Sequence, residues 1–275
     1  MVPGCRIILS EHKKVTARKI SKMKGKDKIV MVTAYDYPSA KAADEAGVDS
    51  ILVGDSLAMV VHGMKNTHNV PIELMEYHVK AVARAEPSAH VVGDMPFMSY
   101  ETGTRDAVIN AGRLVAAGAD SVKLEGGGEY SDVVRAIVRS GIPVMGHIGL
   151  TPQKYLALGG YRKMGRKPGE ANEILMDAKA LVDAGVFSIV IEYTSAEVAR
   201  KVTQTVPVPT ICIGSGPYCD GQVLVFHDLL GFSPYEPPPF AKNYANLYDI
   251  VRKGIIQYAK DVRELKFPGP EHYFD

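Results

Sequence analysis

Short apolar runs rich in Val and Ile alternate with longer stretches of helical periodicity from about residue 29 onward. A continuous apolar run of this length predicts a strand buried on both faces, and such strands alternate with helices in parallel sheets. Seven strands are predicted, at Ile29–Ala34, Ser50–Val53, His90–Gly93, Ser121–Leu124, Ile142–Gly146, Phe187–Ile191 and Pro209–Ile213. The amphipathic stretches between them predict helices near residues 38–46, 71–85, 104–117, 129–139, 169–184 and 195–206. The chain is therefore predicted to be an α/β protein built on a parallel sheet.

A parallel sheet of this kind either closes into a barrel or stays open. No strand–Gly-x-Gly-x-x-Gly–helix unit stands near the start of the sequence, so the main signal for an open dinucleotide-binding sheet is missing. An eighth strand would come from Pro239–Lys242, after an apolar, helix-like stretch over 222–230 and before a long periodic stretch over 243–265. We therefore predict a (β/α)8 TIM barrel.

The length of 275 residues suits one barrel with a short extension. No composition break or linker divides residues 29–265, so residues 29–275 are predicted to form a single catalytic barrel domain. Residues 1–28 differ, because nine Lys and Arg stand against two acidic residues there, a charge of +7, while the whole chain carries +1. We interpret this basic N-terminal arm as a solvated surface helix or a subunit contact rather than as a nucleic-acid-binding segment.

The composition excludes several kinds of partner. A net charge of +1 does not provide the positive field that nucleic acid or an anionic membrane requires, so small-molecule substrates are expected. No uncharged apolar run of about 18 residues is present in the sequence to span a membrane. The three cysteines, Cys5, Cys212 and Cys219, are too few and too scattered for a disulfide framework or a zinc site, which is typical of a cytoplasmic protein.

Polar residues stand where the predicted strands end, at the edge where barrels of this type build their active sites. In strand order they are Tyr35–Asp36, Asp55–Ser56, Asp94, Lys123 with Glu125, His147, Glu192 and Gly214–Gly216. A single Asp or Ser at such a place is equally well explained as a helix N-cap. An ionisable group after six of the seven strands, however, indicates a shared polar site.

Asp55, Asp94 and Glu125 come from three consecutive strands and are expected to converge on one cation. Three carboxylates without a thiolate suit a hard ion such as Mg²⁺ better than Zn²⁺, and their mutual repulsion disfavours such a cluster without a cation. Lys123 lies two residues before Glu125, so the two side chains share one face of a strand. A buried salt bridge with a purely structural role is the alternative for that pair.

Three other strand-end features admit more than one interpretation. Glu192 lies between Ile191 and Tyr193, where a carboxylate is a candidate general base, with a helix cap as the alternative. His147 is interpreted as a hydrogen-bonded structural residue and is given no acid–base role. Gly214–Gly216 fits a phosphate-binding turn or a simple tight turn equally well.

Several motifs in register resemble the ketopantoate hydroxymethyltransferase family, also called 3-methyl-2-oxobutanoate hydroxymethyltransferase. They are Thr33–Tyr37, Val53–Leu57, Gly93–Phe97, Val122–Gly126, Gly146–Pro152, Gly159–Tyr161, Asp220–Gln222 and His227–Asp228. The resemblance covers roughly residues 27–265. Two departures are visible: Ala58 stands where the family usually has Gly, and the segment Gly214–Cys219 begins Gly-Ser-Gly where Gly-Ala-Gly is more common.

The resemblance implies a (β/α)8 barrel of the phosphoenolpyruvate mutase and isocitrate lyase type. It implies an enzyme of pantothenate and coenzyme A biosynthesis that transfers a hydroxymethyl group from 5,10-methylenetetrahydrofolate to 3-methyl-2-oxobutanoate, giving 2-dehydropantoate. The donor is a folate or, in some organisms, a modified pterin. The family also suggests a decamer or another ring-like homo-oligomer.

The site residues of the family carry over onto this sequence motif by motif. The resemblance implies that Asp55, Asp94 and Glu125 bind one Mg²⁺ per subunit. It implies that the oxo acid is contacted by Asp55, Ser56, Asp94 and Lys123, and that Glu192 accepts the proton. Two alternatives remain. One is a lyase or mutase of the same superfamily, although the Lys-Lys-Cys-Gly-His motif of isocitrate-lyase-type members is absent from this sequence. The other is a non-enzymatic barrel, which would have no need of these charged groups.

Overall fold

Eight parallel strands close into a barrel in the computed structural model, which describes residues 13–274. The strands are β1 (Ile29–Thr33), β2 (Ser50–Val53), β3 (His90–Asp94), β4 (Ser121–Glu125), β5 (Val144–Gly149), β6 (Ser188–Glu192), β7 (Thr210–Ile213) and β8 (Gly221–Leu224). Each strand pairs with the next, and β8 pairs with β1 to complete the ring. The predicted (β/α)8 barrel is confirmed, and the first seven strands lie where the apolar runs predicted them.

Helices follow the strands along the chain. They are α1 (Ala17–Ser21), α2 (Tyr37–Glu45), α3 (Leu57–Val60), α4 (Ile72–Ala83), α5 (Thr104–Ala116), α6 (Ser131–Arg139), α7 (Tyr155–Leu158), α8 (Pro168–Ala184), α9 (Ala196–Thr205), α10 (Phe226–Leu230) and α11 (Leu247–Arg263). The six predicted helices correspond to α2, α4, α5, α6, α8 and α9. Within residues 13–274, no helix has the length and apolarity that crossing a membrane requires.

The chain divides into two compact units, Met1–Leu224 and Val225–Asp275. The first unit contains all eight strands, and the second contains α10 and α11. The assignment made from the sequence, an arm over residues 1–28 and one catalytic domain over 29–275, stays a prediction.

The position predicted for the eighth strand is wrong. Pro239–Lys242 does not form a strand, and the barrel is instead closed by Gly221–Leu224, at the start of a stretch that was expected to be helical. β8 has only four residues, and its Gln222 is exposed, so it lacks the continuous apolar run that marks the other strands. Gly221 packs so closely on β1 that a Cβ atom would lie 2.5 Å from the carbonyl oxygen of Ile29. Gly221 and Gln222 thus interrupt the apolar pattern by which the other strands were predicted.

The described part of the basic arm, residues 13–28, seals the N-terminal end of the barrel. Ile20, on α1, is fully buried and Val15 is 7% exposed. Both belong to one apolar cluster inside the barrel, whose other members are Ile29, Met31, Leu52, Val92, Met145, Phe187, Val190, Ile211 and Val223. α1 is thus a surface helix with exposed Arg18 and Lys19 and one buried side, and the interpretation of the arm as a surface helix or a subunit contact stays a prediction. Residues 1–12, which complete the predicted arm, lie outside the described residues.

Lysines of the arm bind groups at the same end of the barrel. Lys14 donates to the carbonyl oxygens of Pro87 and Ala89, at 3.0 and 2.9 Å, and forms a 2.8 Å salt bridge with Asp120. Lys24 donates to the carbonyl oxygen of Thr203 at 2.6 Å and to Asp220 at 2.9 Å. Part of the local positive charge is thus neutralised within the fold.

Truncating Ile20 should measure the value of this seal. We expect Ile20→Ala to lower the free energy of unfolding by about 2–5 kcal/mol, because the change removes buried methyl groups and leaves a cavity. Urea denaturation measures the loss. Lys22→Ala, which follows α1 and leaves the apolar cluster intact, is the control and should change the free energy of unfolding by less than about 0.5 kcal/mol. Equal values for the two variants would show that the arm contributes no packing energy.

His90 is buried beneath the arm at the start of β3. Its Nε2 atom lies 2.8 Å from the hydroxyl of Ser121, and its Nδ1 atom lies 3.3 Å from the carbonyl oxygen of Val15. Burial lowers the pKa of His90 from 6.5 to about 4; Asp120, 3.9 Å away, opposes this shift and Lys14 adds to it. The imidazole is therefore neutral in the folded protein near pH 6.

This buried imidazole predicts a dependence of stability on pH. Its pKa is lower in the folded chain, so the unfolded chain takes up the proton first as the pH falls. The contribution of His90 to stability is complete above about pH 6.5 and is lost toward pH 4. We expect His90→Gln to lose roughly 3 kcal/mol less than the wild type across that interval. Urea denaturation at several pH values tests this, and parallel stability curves would contradict it.

Two of the three cysteines form a disulfide, which the sequence analysis missed. Cys212 lies in β7 and Cys219 just before β8, and the turn between them brings their Cα atoms to 5.8 Å. The two residues are seven apart in the chain, so the interpretation of them as scattered overlooked this turn. Cys5 lies outside the described residues. The predicted cytoplasmic location stays a prediction.

Candidate active site

Charged side chains from β2 to β6 meet at the C-terminal end of the barrel. Buried or nearly buried residues make up the group: Asp55, Asp94, Lys123, Glu125 and His147, each at most 5% exposed, with the Glu192 side chain 17% exposed beside them. The parallel register explains the convergence, because it places Asp94 beside Lys123 and Glu125 beside His147 on neighbouring strands. The structure thus brings together five of the six predicted site residues: the three carboxylates, Lys123 and Glu192.

Lys123 pairs with Asp94 rather than with Glu125. Its Nζ atom lies 2.9 Å from Asp94 Oδ1 and 3.2 Å from His147 Nδ1. Burial lowers the pKa of Lys123, but Asp94, Glu125 and Asp55 together raise it above its usual value. The ammonium therefore stays charged, and the simple Lys123–Glu125 bridge that was the structural alternative does not form.

The two aspartates of the cluster, Asp55 and Asp94, have raised pKa values. The backbone N–H of Asp55 donates to Asp94 Oδ2 at 3.1 Å, which brings the two residues together. Burial raises the pKa of Asp55 well above its usual value, and the negative charges of Asp94 and Glu125 raise it further. Burial and Glu125 also raise the pKa of Asp94, although Lys123 opposes the shift. This end of the barrel therefore carries more negative charge than its own cations neutralise.

His147 lies between Glu125, one of the three clustered carboxylates, and Glu192. Its Nδ1 atom lies 3.5 Å from Glu125 Oε1 and its Nε2 atom 3.1 Å from Glu192 Oε2. Burial and Lys123 lower the pKa of His147, but Glu125 and Glu192 outweigh them and raise it to about 9. Burial also raises the pKa of Glu125, yet contact with His147 leaves it below its usual value. His147 thus lies between two carboxylates, and its interpretation as a hydrogen-bonded structural residue without an acid–base role stays a prediction.

Gln153 is a site residue that the sequence analysis missed. It is 3% exposed, its side-chain amide donates to Asp55 Oδ2 at 2.9 Å and to the carbonyl oxygen of Met95 at 3.0 Å, and its backbone N–H donates to Glu125 Oε2 at 2.9 Å. Tyr100 completes the arrangement by donating its hydroxyl to Gln153 Oε1 at 2.7 Å. Gln153 thereby fixes two of the three carboxylates. The Gly146–Pro152 motif stops one residue before it.

The remaining strand-end residues have different surroundings. The hydroxyl of Ser56 lies 2.9 Å from the hydroxyl of the buried Tyr35, and its predicted contact with substrate stays a prediction. Asp36 caps α2 by accepting from the backbone N–H of Ser39 at 2.8 Å, which confirms the helix-cap alternative for this residue. The N-cap of α9 is Ser195, so capping that helix is not the role of Glu192.

The residue types suit a hard divalent cation, but their arrangement does not yet form a ligand shell. Within residues 13–274, no group of three or more His, Cys, Asp or Glu side chains is arranged to hold a metal ion. Lys123 occupies one oxygen of Asp94, and Gln153 occupies one oxygen each of Asp55 and Glu125. Three buried carboxylates with excess negative charge nevertheless match the donors that Mg²⁺ prefers. The Mg²⁺ ligand set therefore stays a prediction that the chemistry of the donors supports.

Comparison with known proteins gives consistent results for sequence and fold. A family model described as ketopantoate hydroxymethyltransferase matches residues 14–270. A relative from Staphylothermus marinus is 63% identical over 262 residues, covering 95% of this chain and 96% of its own. One from Hyperthermus butylicus is 60% identical over 267 residues, covering 97% and 92%. Both are named 3-methyl-2-oxobutanoate hydroxymethyltransferase.

Solved structures with much lower identity share the fold. The structure of 2,3-dimethylmalate lyase, a member of the PEP mutase/isocitrate lyase superfamily, matches with a TM-score of 0.60 and 19% identity, over 94% of this chain and 91% of its own. Phosphoenolpyruvate phosphomutase from Streptomyces platensis subsp. rosaceus matches with a TM-score of 0.58 and 15% identity, over 94% and 92%. The predicted barrel type is confirmed, and at this identity the likeness concerns the fold alone.

Proposed function

The chain belongs to the ketopantoate hydroxymethyltransferase family of enzymes, and from that premise we propose that it transfers a hydroxymethyl group from 5,10-methylenetetrahydrofolate to 3-methyl-2-oxobutanoate. The product is 2-dehydropantoate, an intermediate of pantothenate and coenzyme A biosynthesis. The observation that carries the proposal is the connection of Glu192 through His147 to a buried cluster of three carboxylates and a charged lysine. Membership of an enzyme family also removes the support for a non-enzymatic barrel.

The proposal includes one Mg²⁺ per subunit, held by Asp55, Asp94 and Glu125. A bound Mg²⁺ would neutralise these carboxylates and stabilise the negative charge that develops on the oxo acid as it enolises. The raised pKa values of Asp55 and Asp94 support a cation here, because buried like charges are costly without one. Gln153 would keep Asp55 and Glu125 in position while Lys123 compensates Asp94.

Each of the remaining groups has a role in this reaction. Lys123 is charged and buried, so it binds the carboxylate or the enolate oxygen of the substrate, and the Ser56 hydroxyl donates to the oxo acid. Glu192 removes the proton from the branched carbon. His147 lies with Nε2 3.1 Å from the Glu192 carboxylate and is not itself required to exchange a proton.

The bond changes follow from this arrangement. Loss of the proton to Glu192 leaves a nucleophilic carbon on the substrate, which attacks the methylene carbon of the donor. A carbon–carbon bond forms as one of the two carbon–nitrogen bonds of the bridging methylene breaks. The second carbon–nitrogen bond breaks when water supplies the hydroxyl of the transferred group, and the proton taken by Glu192 and the remaining proton of the water go to the two donor nitrogens. The function is tested by assaying 2-dehydropantoate from both substrates, with and without Mg²⁺ after chelation. Formation of 2-dehydropantoate only when Mg²⁺ is present supports the proposal, and no product under either condition refutes it.

Assembly and location form the last part of the proposal: a cytoplasmic homo-oligomer. α11 has no buried residue, and Val251, Ile255 and Tyr258, which share one face of the helix, are 37%, 62% and 57% exposed. An apolar helix face of this kind is costly in water, and a second copy of this chain is the partner that self-assembly would bring to it. Light scattering of the wild type and of Ile255→Glu tests this. A monomeric wild type would contradict the proposal.

A further inference from the structure

A cavity of about 370 Å³ lies beside the candidate active site, between the loop that precedes α8, the loop from β6 to α9 and the turn after β7. Lys163, Arg166, Tyr193, Ser195 and Gly216 are among the residues that line it, and the lining contains two cationic side chains and no acidic one. None of these residues belongs to the carboxylate cluster. The cavity is therefore a separate, positively charged compartment.

The two cations of the cavity are not neutralised by the fold. Within residues 13–274, neither Lys163 nor Arg166 forms a salt bridge, whereas the adjacent Arg162 pairs with Glu170 at 2.9 Å. Lys163 instead lies with Nζ 5.8 Å from the centre of the Tyr193 ring. Both side chains are exposed and free to close on an anion. A Lys and an Arg facing one compartment are typical of binding sites for carboxylate or phosphate groups.

The backbone around the cavity is fixed by hydrogen bonds. The N–H of Tyr193 donates to the carbonyl oxygen of Ile213 at 2.8 Å, and the N–H of Met164 donates to that of Tyr193 at 2.9 Å. The buried hydroxyl of Ser215 donates to the carbonyl oxygen of Ile191 at 2.8 Å and accepts from the N–H of Thr194 at 2.9 Å. Ser215, the central residue of Gly-Ser-Gly, thus points into the protein and rigidifies the turn. The cavity is preorganised rather than a gap between mobile loops.

The close approach of Gly216 and α9 shapes one wall. A Cβ atom at Gly216 would lie 2.6 Å from Cβ of Ala196, and the φ of Gly216 is +84°, a conformation that favours glycine. α9 begins at Ala196, and its N-cap Ser195 makes no side-chain capping bond. The positive end of the helix therefore adds to the field of Lys163 and Arg166.

The position of the cavity relative to Glu192 indicates what it binds. Tyr193 lines the cavity and directly follows Glu192, with a φ of +43° that turns the chain from one site toward the other. We propose that this cavity binds the anionic tail of the one-carbon donor, which carries either glutamate carboxylates or a phosphate. The assignment rests on the proposed function, since the donor must place its reactive carbon near Glu192 while its tail lies elsewhere.

The test compares donors with and without an anionic tail. We take the ratio of kcat/KM for 5,10-methylenetetrahydrofolate triglutamate to that for the tail-less tetrahydropteroate donor. The ratio should fall at least about tenfold in the double variant Lys163→Ala, Arg166→Ala, because two charged partners of the tail are lost. Lys167→Ala removes a neighbouring charge that does not line the cavity and should keep the wild-type ratio. A phosphate-bearing pterin donor, run in the same way, shows which anion the cavity prefers.

Several outcomes would overturn the assignment. These are a wild-type ratio near 1 for both anionic donors, a double variant with the wild-type ratio, or an equal loss in Lys167→Ala. Calorimetric binding of tetrahydrofolate triglutamate gives a second readout that needs no turnover, and weaker binding by the double variant alone supports the site. If the wild type makes no 2-dehydropantoate from any donor, the proposed function fails, and calorimetry still decides whether the cavity binds the anion.

Discussion

Glu192→Gln should lose the exchange of the proton on the branched carbon of 3-methyl-2-oxobutanoate in deuterated water. The amide keeps the shape of the side chain but cannot accept a proton, so the exchange rate is expected to fall by roughly 10²- to 10⁴-fold, the usual contribution of a general base. Exchange needs no one-carbon donor, so it isolates this step from the transfer that follows. Nuclear magnetic resonance of the substrate methine signal measures the rate directly.

Two controls separate loss of the base from loss of the site. Glu197→Gln makes the same substitution five residues further on, at an exposed position that pairs with Arg200, and should exchange at the wild-type rate. Calorimetry should show that Glu192→Gln still binds the oxo acid with Mg²⁺, because the carboxylate cluster is intact. If Glu192→Gln exchanged as fast as the wild type, another residue would have to be the base.

The sequence predicts the strand-end carboxylates well, for a physical reason. Asp55, Asp94 and Glu125 follow apolar runs that parallel pairing must bring to one edge, so their meeting depends only on the fold class. The salt-bridge partner of Lys123 could not be predicted from the sequence. Spacing along β4 suggests Glu125, but the register between β3 and β4 sets Lys123 beside Asp94. Cross-strand register is a property of the closed sheet and is not visible in one strand.

Other features escaped prediction because they depend on contacts between distant segments. Gln153 lies in a short 3-10 helix after β5, where an uncharged amide gives no periodic or electrostatic signal. Its importance appears only once Asp55, 98 residues away in the chain, accepts its hydrogen bond. The basic arm is similar, since Lys14 reaches carbonyl groups more than 70 residues away. The net charge of such a segment can be read from the sequence, but its contacts in the fold cannot.

Asp94→Ala should abolish the Mg²⁺-dependent binding of 3-methyl-2-oxobutanoate. The change removes one of the three carboxylates and leaves the Lys123 ammonium, 2.9 Å away in the wild type, buried without its partner. Repulsion between that ammonium and a divalent cation adds to the loss of a ligand. We expect affinity measured by calorimetry in the presence of Mg²⁺ to fall at least about 100-fold, beyond the usual coupling of a single hydrogen bond.

The same substitution also destabilises the fold, so it needs a matched control at the other end of the barrel. Asp220 pairs with Lys24 at the same distance, 2.9 Å, and is 6% exposed. Asp220→Ala should therefore cost stability comparable to Asp94→Ala, about 3–5 kcal/mol for breaking a buried pair, while keeping Mg²⁺-dependent binding. Urea denaturation and calorimetry on both variants separate the two effects. Wild-type binding by folded Asp94→Ala would exclude Asp94 as a metal ligand, and loss of binding by both would show that the assay reports stability alone.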